Sequence, residues 1–140
     1  MRKEVLMEPG FAGQIVEIIK STRSIDEMTE KLKDFHDKDI AQSFELLNTA
    51  ERNLLYSALD AEWLADIISY IDNPVQYVEE IGIEKLAAII NEMDADDAVD
   101  LWSVIEESVK VKLRPMIDDE TKTDIRLINS YEEDEIGSLI

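Results

Sequence analysis

The sequence predicts an all-α fold: a right-handed superhelix, or compact stack, of about ten short helices. Three observations point there. Apolar residues recur three and four positions apart with almost no strand-like alternation. A Ser, Thr, Asp or Asn stands ahead of most apolar stripes, where it can cap a helix. Four Gly and three Pro punctuate 140 residues, so breaks are few. One stretch, Val109 to Leu113, does alternate. Val104, Ile105, Val109 and Leu113 nevertheless recur at helical spacing, and the flanks are helical, so it is read as helix.

The elements follow in order. After Pro9-Gly10, Ile15, Val16, Ile18 and Ile19 form the first apolar face. Ser24 and Glu27 have capping-box spacing and open a helix that buries Met28, Leu32 and Phe35. Asp37 is expected to cap the next, with Ile40, Phe44 and Leu47 inward. Thr49 is expected to cap a helix carrying Leu54, Leu55, Ala58 and Leu59. Asp60 then opens one with Trp63, Leu64, Ile67, Ile68 and Ile71. Asn73-Pro74 reads as cap and first helical residue. Gly82 is a break, followed by Leu86, Ile89, Ile90 and Met93. Asp94 caps a helix with Val99, Leu101, Trp102 and Ile105. Pro115 bends or ends the next helix. Asp118 or Asp119 opens the last, with Ile125, Leu127 and Ile128.

Helices of about ten residues are marginal alone in water, so each must bury its stripe against neighbours. Connections of a few residues keep sequential helices adjacent. Repetition supports a stacked arrangement. Residues 59–68, Leu-Asp-Ala-Glu-Trp-Leu-Ala-Asp-Ile-Ile, recur at 93–102 as Met-Asp-Ala-Asp-Asp-Ala-Val-Asp-Leu-Trp, and a weaker copy spans 35–44. The spacing is that of tetratricopeptide repeats, but their Trp, Gly and Tyr pattern is not met.

Composition excludes several functions. With 33 acidic against 14 basic residues the formal charge is −19. Such a surface repels nucleic acid and anionic lipid, and attracts cations and basic surfaces. A hydrophobic content of 45% is too high for a disordered acidic tail. The absence of cysteine removes disulfides, thiolate metal sites and thiol catalysis, and suits a reducing cytosol. No apolar run approaches the roughly 18 residues that span a bilayer, and Glu4 and Glu8 interrupt any signal-peptide core, so a soluble chain is expected. No phosphate-binding Gly-rich loop, His-Glu-x-x-His motif or nucleophile–base pair is present, and no cleft for carboxylate catalysis is evident. The chain is not expected to be an enzyme.

Several motifs resemble those of the cytosolic N-terminal domain of MgtE-type magnesium transporters, best from residue 35 to 140. His36-Asp-Lys-Asp-Ile-Ala41 is similar to a His-Pro-x-Asp-Ile-Ala helix start, with Asp37 in place of the proline. Met93-Asp-Ala-Asp-Asp-Ala-Val-Asp100 resembles the family's acidic repeat. Tyr131-Glu-Glu-Asp-Glu-Ile-Gly-Ser-Leu-Ile140 resembles its Tyr-x-x-Asp-x-Ala-Gly-x-Leu-Met ending. Residues 1–130 are accordingly expected to form the helical superhelix and 131–140 an acidic junction toward a CBS pair. The resemblance implies a cytosolic magnesium sensor at the inner face of the cell membrane, which docks onto CBS domains of its own chain to favour a closed pore. It implies a homodimer for the full transporter and a monomer for this part.

Magnesium keeps several waters and takes one or two carboxylates from a given surface. Asp96 and Asp100 lie four apart and share a helix face. At about 6 Å their repulsion in water is on the order of 0.7 kcal/mol, which a divalent ion relieves. Asp66 holds the position equivalent to Asp100 in the internal repeat. By resemblance, Asp66, Asp96, Asp100 and the carbonyl of Ser138 match positions that contact magnesium at the CBS interface, with Asp66 in place of a Glu. The metal is expected to bind weakly here, since other ligands belong to the CBS pair. The plain alternative is a solvated acidic helix face. The run Glu132-Glu133-Asp134-Glu135 reads as a solvated linker, Trp63 and Trp102 as core, and His36 as a local cap.

Two further readings stand beside this one. A protein-interaction scaffold resembling FliG, the flagellar motor switch protein, is built from similar armadillo-like units, but its Glu-His-Pro-Gln motif is missing around His36. A free-standing acidic adaptor is the other.

Overall fold

The fold was obtained as a computed structural model, which describes residues 11–125. These residues form helices joined by short turns, with no strand among them, as the sequence predicts. The chain divides into two compact units, Met1–Asn73 and Pro74–Ile140.

In the first unit, α1 spans Ala12–Ser21, α2 Ile25–Leu32, α3 Asp37–Ser43, α4 Thr49–Ala58 and α5 Ala61–Ile68, with a 3₁₀ turn at Phe44–Leu46. α1 packs on α2 and α3, and α3 on α5. Ile15, Leu32, Ile40, Phe44, Leu55, Leu64 and Ile67 are wholly buried. Phe44 and Tyr56 meet edge to face, ring centroids 6.0 Å apart, a geometry aromatic quadrupoles favour. The Arg52 guanidinium donates to the carbonyls of Phe44, at 3.1 Å, and Leu47. It thereby satisfies acceptors left over where the 3₁₀ turn ends.

In the second unit, α6 spans Val75–Glu80, α7 Ile83–Glu92, α8 Ala95–Ser103 and α9 Glu107–Leu113. A 3₁₀ turn follows at Arg114–Met116, and a helical segment over 119–125. α7 packs on α8 and α9. Leu86, Ile89, Ile90, Ala98 and Leu113 are fully buried. Val109–Leu113 is helical, so its alternation carries no strand. Asn91 ties α7 to the chain beyond α9. Its Nδ2 donates to the Met116 carbonyl at 3.2 Å, and its Oδ1 accepts from the Asp118 amide at 2.9 Å.

Several caps stand where the sequence places them. Ser24 Oγ accepts from the Glu27 amide at 3.1 Å, and Asp60 Oδ1 from the Trp63 amide at 2.9 Å. Of the two candidates for the last helix, Asp118 is the cap, accepting from the Thr121 amide at 2.8 Å. Others differ. His36, not Asp37, caps α3: its Nδ1 accepts from the Lys38 amide at 3.0 Å. Asn48, not Thr49, caps α4 in a reciprocal box with Glu51; Asn outranks Thr as a cap and places Glu51 at the third helical position. α6 begins at Val75 with Pro74 as its N-cap residue, one place later than Asn73-Pro74 suggests. Asp94 precedes α8 as expected, but its side chain makes no capping bond.

Candidate functional site: two acidic helix faces

The expected metal residues fall on α5 and α8. Asp66 is exposed on α5, whose buried face carries Leu64, Ala65, Ile67 and Ile68. Asp96 and Asp100 are exposed on α8, whose buried face carries Ala98, Leu101 and Trp102. The helical period separates the functions: apolar positions turn inward and the i,i+4 aspartates turn to solvent. Asp96 and Asp97 lie in the first turn of α8, where the helix dipole favours negative charge. Asp97 is half-buried, unlike Asp96. Ser138 and the run Glu132–Glu135 lie outside the described residues.

The internal repeat extends to hydrogen bonding. The carbonyl of Asp66 accepts from Ser69 Oγ at 2.7 Å, and that of Asp100 from Ser103 Oγ at 2.7 Å. Each aspartate thus sits one turn before a serine that closes its helix end. Among the described residues no group of three or more His, Asp or Glu is close enough to hold a metal ion. The Asp96–Asp100 pair can offer two carboxylates to a hydrated magnesium, with the remaining positions left to water or another surface.

Around Asp66 the first unit forms an open groove of about 360 Å³, lined by Phe35 and Trp63 and by Asp37, Asp60, Glu62 and Asp66, with Lys33 beside them. Trp63 is held there twice. Its amide donates to Asp60, and its indole Nε1–H donates to Asp37 Oδ1 at 2.9 Å. The tryptophan is half-buried rather than a core residue, which corrects the packing role expected of it. Trp102 is buried as expected, with the Lys110 ammonium 5.7 Å and the Arg114 guanidinium 5.9 Å from its ring centre. Phe35 meets Phe11 edge to face at 5.8 Å. Lys33 lines the groove but is held chiefly by Glu30: its Nζ lies 2.8 Å from Glu30, whose hydrogen bond and charge raise the ammonium pKa above its ordinary value, with a smaller push from the charge of Asp60. Sequence reasoning missed this groove because its walls come from residues 26 positions apart.

Comparison with known proteins bears on what these faces serve. Residues 35–134 match the sequence profile of the MgtE intracellular N domain. Among solved structures the chain is similar to one described as the crystal structure of the soluble part of a magnesium transporter, with a TM-score of 0.72 and 25% identity. That similarity covers 82% of this chain and 46% of the other, so the chain spans about half the length of the structure it matches. No curated protein matches.

Proposed function

Because the chain belongs to the family of MgtE intracellular N domains, we propose that it is the cytosolic magnesium-sensing arm of an MgtE-type magnesium transporter. In this reading it gates the pore by magnesium-dependent docking onto CBS domains of the same chain. The observation that carries the reading is the exposed Asp96–Asp100 pair inside the family match, on a helix whose opposite face is buried. Two carboxylates suit magnesium's preference for few protein ligands and several waters. Asp66 and the Ser138 carbonyl supply further contacts. The charge of −19 supports the same logic: a surface this acidic is repelled by other acidic surfaces, and a divalent ion between them turns repulsion into attachment.

The mechanism is a two-state switch. At high magnesium the ions bridge the arm to its partner and favour the docked arrangement; at low magnesium, carboxylate repulsion separates them. The arm moves no atoms covalently and needs no catalytic group. Among the described residues no helix is long and apolar enough to cross a membrane, so the pore of this reading belongs to another part of the transporter.

Limited proteolysis of the full-length transporter across a magnesium titration tests the proposal. Asp96→Ala with Asp100→Ala is expected to raise the magnesium concentration needed for protection by about tenfold, the effect of losing roughly 1.4 kcal/mol of differential binding. An unchanged protection curve would remove these two residues from the switch.

A further inference from the structure

We propose that the groove between α3 and α5 is a docking site for an arginine-bearing segment of a partner protein, independent of magnesium. The argument begins from the indole, not from the acids alone. Trp63 lines an open groove of about 360 Å³ together with Phe35; its indole donates to Asp37, while its backbone amide donates to the Asp60 cap at the start of α5. A half-buried indole tethered through its Nε1–H to Asp37 offers a preorganised aromatic surface. Around it stand four carboxylates, those of Asp37, Asp60, Glu62 and Asp66.

These carboxylates line the groove together with the two aromatic side chains. No set of three acids among the described residues is close enough to hold a metal ion. The arrangement therefore suits an extended cation better than a bare one. A guanidinium is planar, stacks on an indole face and donates five hydrogen bonds in a fixed fork to carboxylates. Asp37 and Asp60 each give one acceptor position to Trp63, and a carboxylate has further lone pairs to accept from a ligand. Lysine fits less well, since its ammonium is a strongly hydrated point charge without a planar face. The one cation lining the groove, Lys33, is bound to Glu30. Charge complementarity thus selects a basic segment as occupant.

The test uses this 140-residue chain with Trp102→Phe, leaving Trp63 as the fluorescent reporter, in buffer with EDTA and no divalent ion. The probe is an acetylated Gly-Arg-Gly-Arg-Gly peptide, against the same peptide with lysine or with glutamate. Saturable perturbation of Trp63 emission by the arginine peptide is expected, with the lysine peptide about fivefold weaker and the glutamate peptide silent. Glu62→Gln with Asp66→Asn is expected to weaken binding about tenfold. The charge-matched Glu84→Gln with Glu92→Gln, in the second unit, is expected to leave binding unchanged. Trp63→Leu, checked for folding by circular dichroism and read by calorimetry, is expected to weaken binding about fivefold. No saturable binding, equal loss in both charge-removing variants, or equal affinity for arginine and lysine peptides would each overturn the proposal. Because magnesium is excluded, none of these outcomes depends on the magnesium switch.

Discussion

His36 shows how a single side chain sets a helix start that its residue type does not advertise. Its ring presents Nδ1 to the Lys38 amide, and its edge meets Tyr70 with centroids 5.6 Å apart. The imidazole so replaces the short oxygen side chain that normally satisfies a first-turn donor. Asp37, released from that duty, holds the Trp63 indole instead. His36→Ala is expected to cost about 1 kcal/mol of stability in urea denaturation, whereas His36→Asn, which restores a common cap, is expected to cost only a few tenths. Equal losses in the two variants would show that the Tyr70 contact, and not the cap, is what matters.

At the scale of elements, the helical segment 119–125 depends on Asp118. Hydrogen bonds from the backbone and side chain of Thr121 hold the Asp118 carboxyl below its ordinary pKa. A carboxyl with a lowered folded-state pKa contributes stability that is present above its unfolded value and is lost as pH falls through the folded one. Melting temperature is therefore expected to decline with acidification below about pH 4, and Asp118→Asn is expected to flatten this limb while keeping the cap. An acid limb of unchanged steepness in the variant would assign it to other carboxylates.

The elements also show what a sequence can disclose. Caps acting at i to i+3, as Ser24, Asp60 and Asp118 do, were legible because donor and acceptor lie within one turn. The apolar stripes were legible through their period, and so was the outward direction of Asp96 and Asp100. Asn48 was legible too, since Glu51 stands at its box position; Thr49 only obscured it. His36 acts as the local cap the sequence suggested, while Asp37 does not cap that helix. The Trp63–Asp37 bond spans 26 residues and the Asn91 bonds 25 and 27. No local rule gives these, so the aromatic groove was invisible until the helices were placed.

For the whole molecule, charge is the governing quantity. Thirty-three acids against fourteen bases leave −19 on 140 residues, and the ion pairs Glu27–Lys31, Glu30–Lys33 and Glu107–Arg114 are exposed and worth little each. Self-repulsion then opposes the folded state and is screened by salt. Raising sodium chloride from 0.05 to 0.5 M, taken as a change of about 1 kcal/mol, is expected to raise the melting temperature by about 2–4 °C in scanning calorimetry. A fall would mean that local ion pairs outweigh the global field. The same repulsion is what a magnesium bridge would have to overcome, so the electrostatic cost of the fold and the proposed switch share one origin.

Asn91 has a mechanical consequence. One amide group grips the Met116 carbonyl with its nitrogen and the Asp118 amide with its oxygen. The backbone entering the helical segment 119–125 is therefore tied to α7 by side-chain hydrogen bonds as well as by chain connectivity. Asn91→Ala would cut both ties at once while changing no residue of α8.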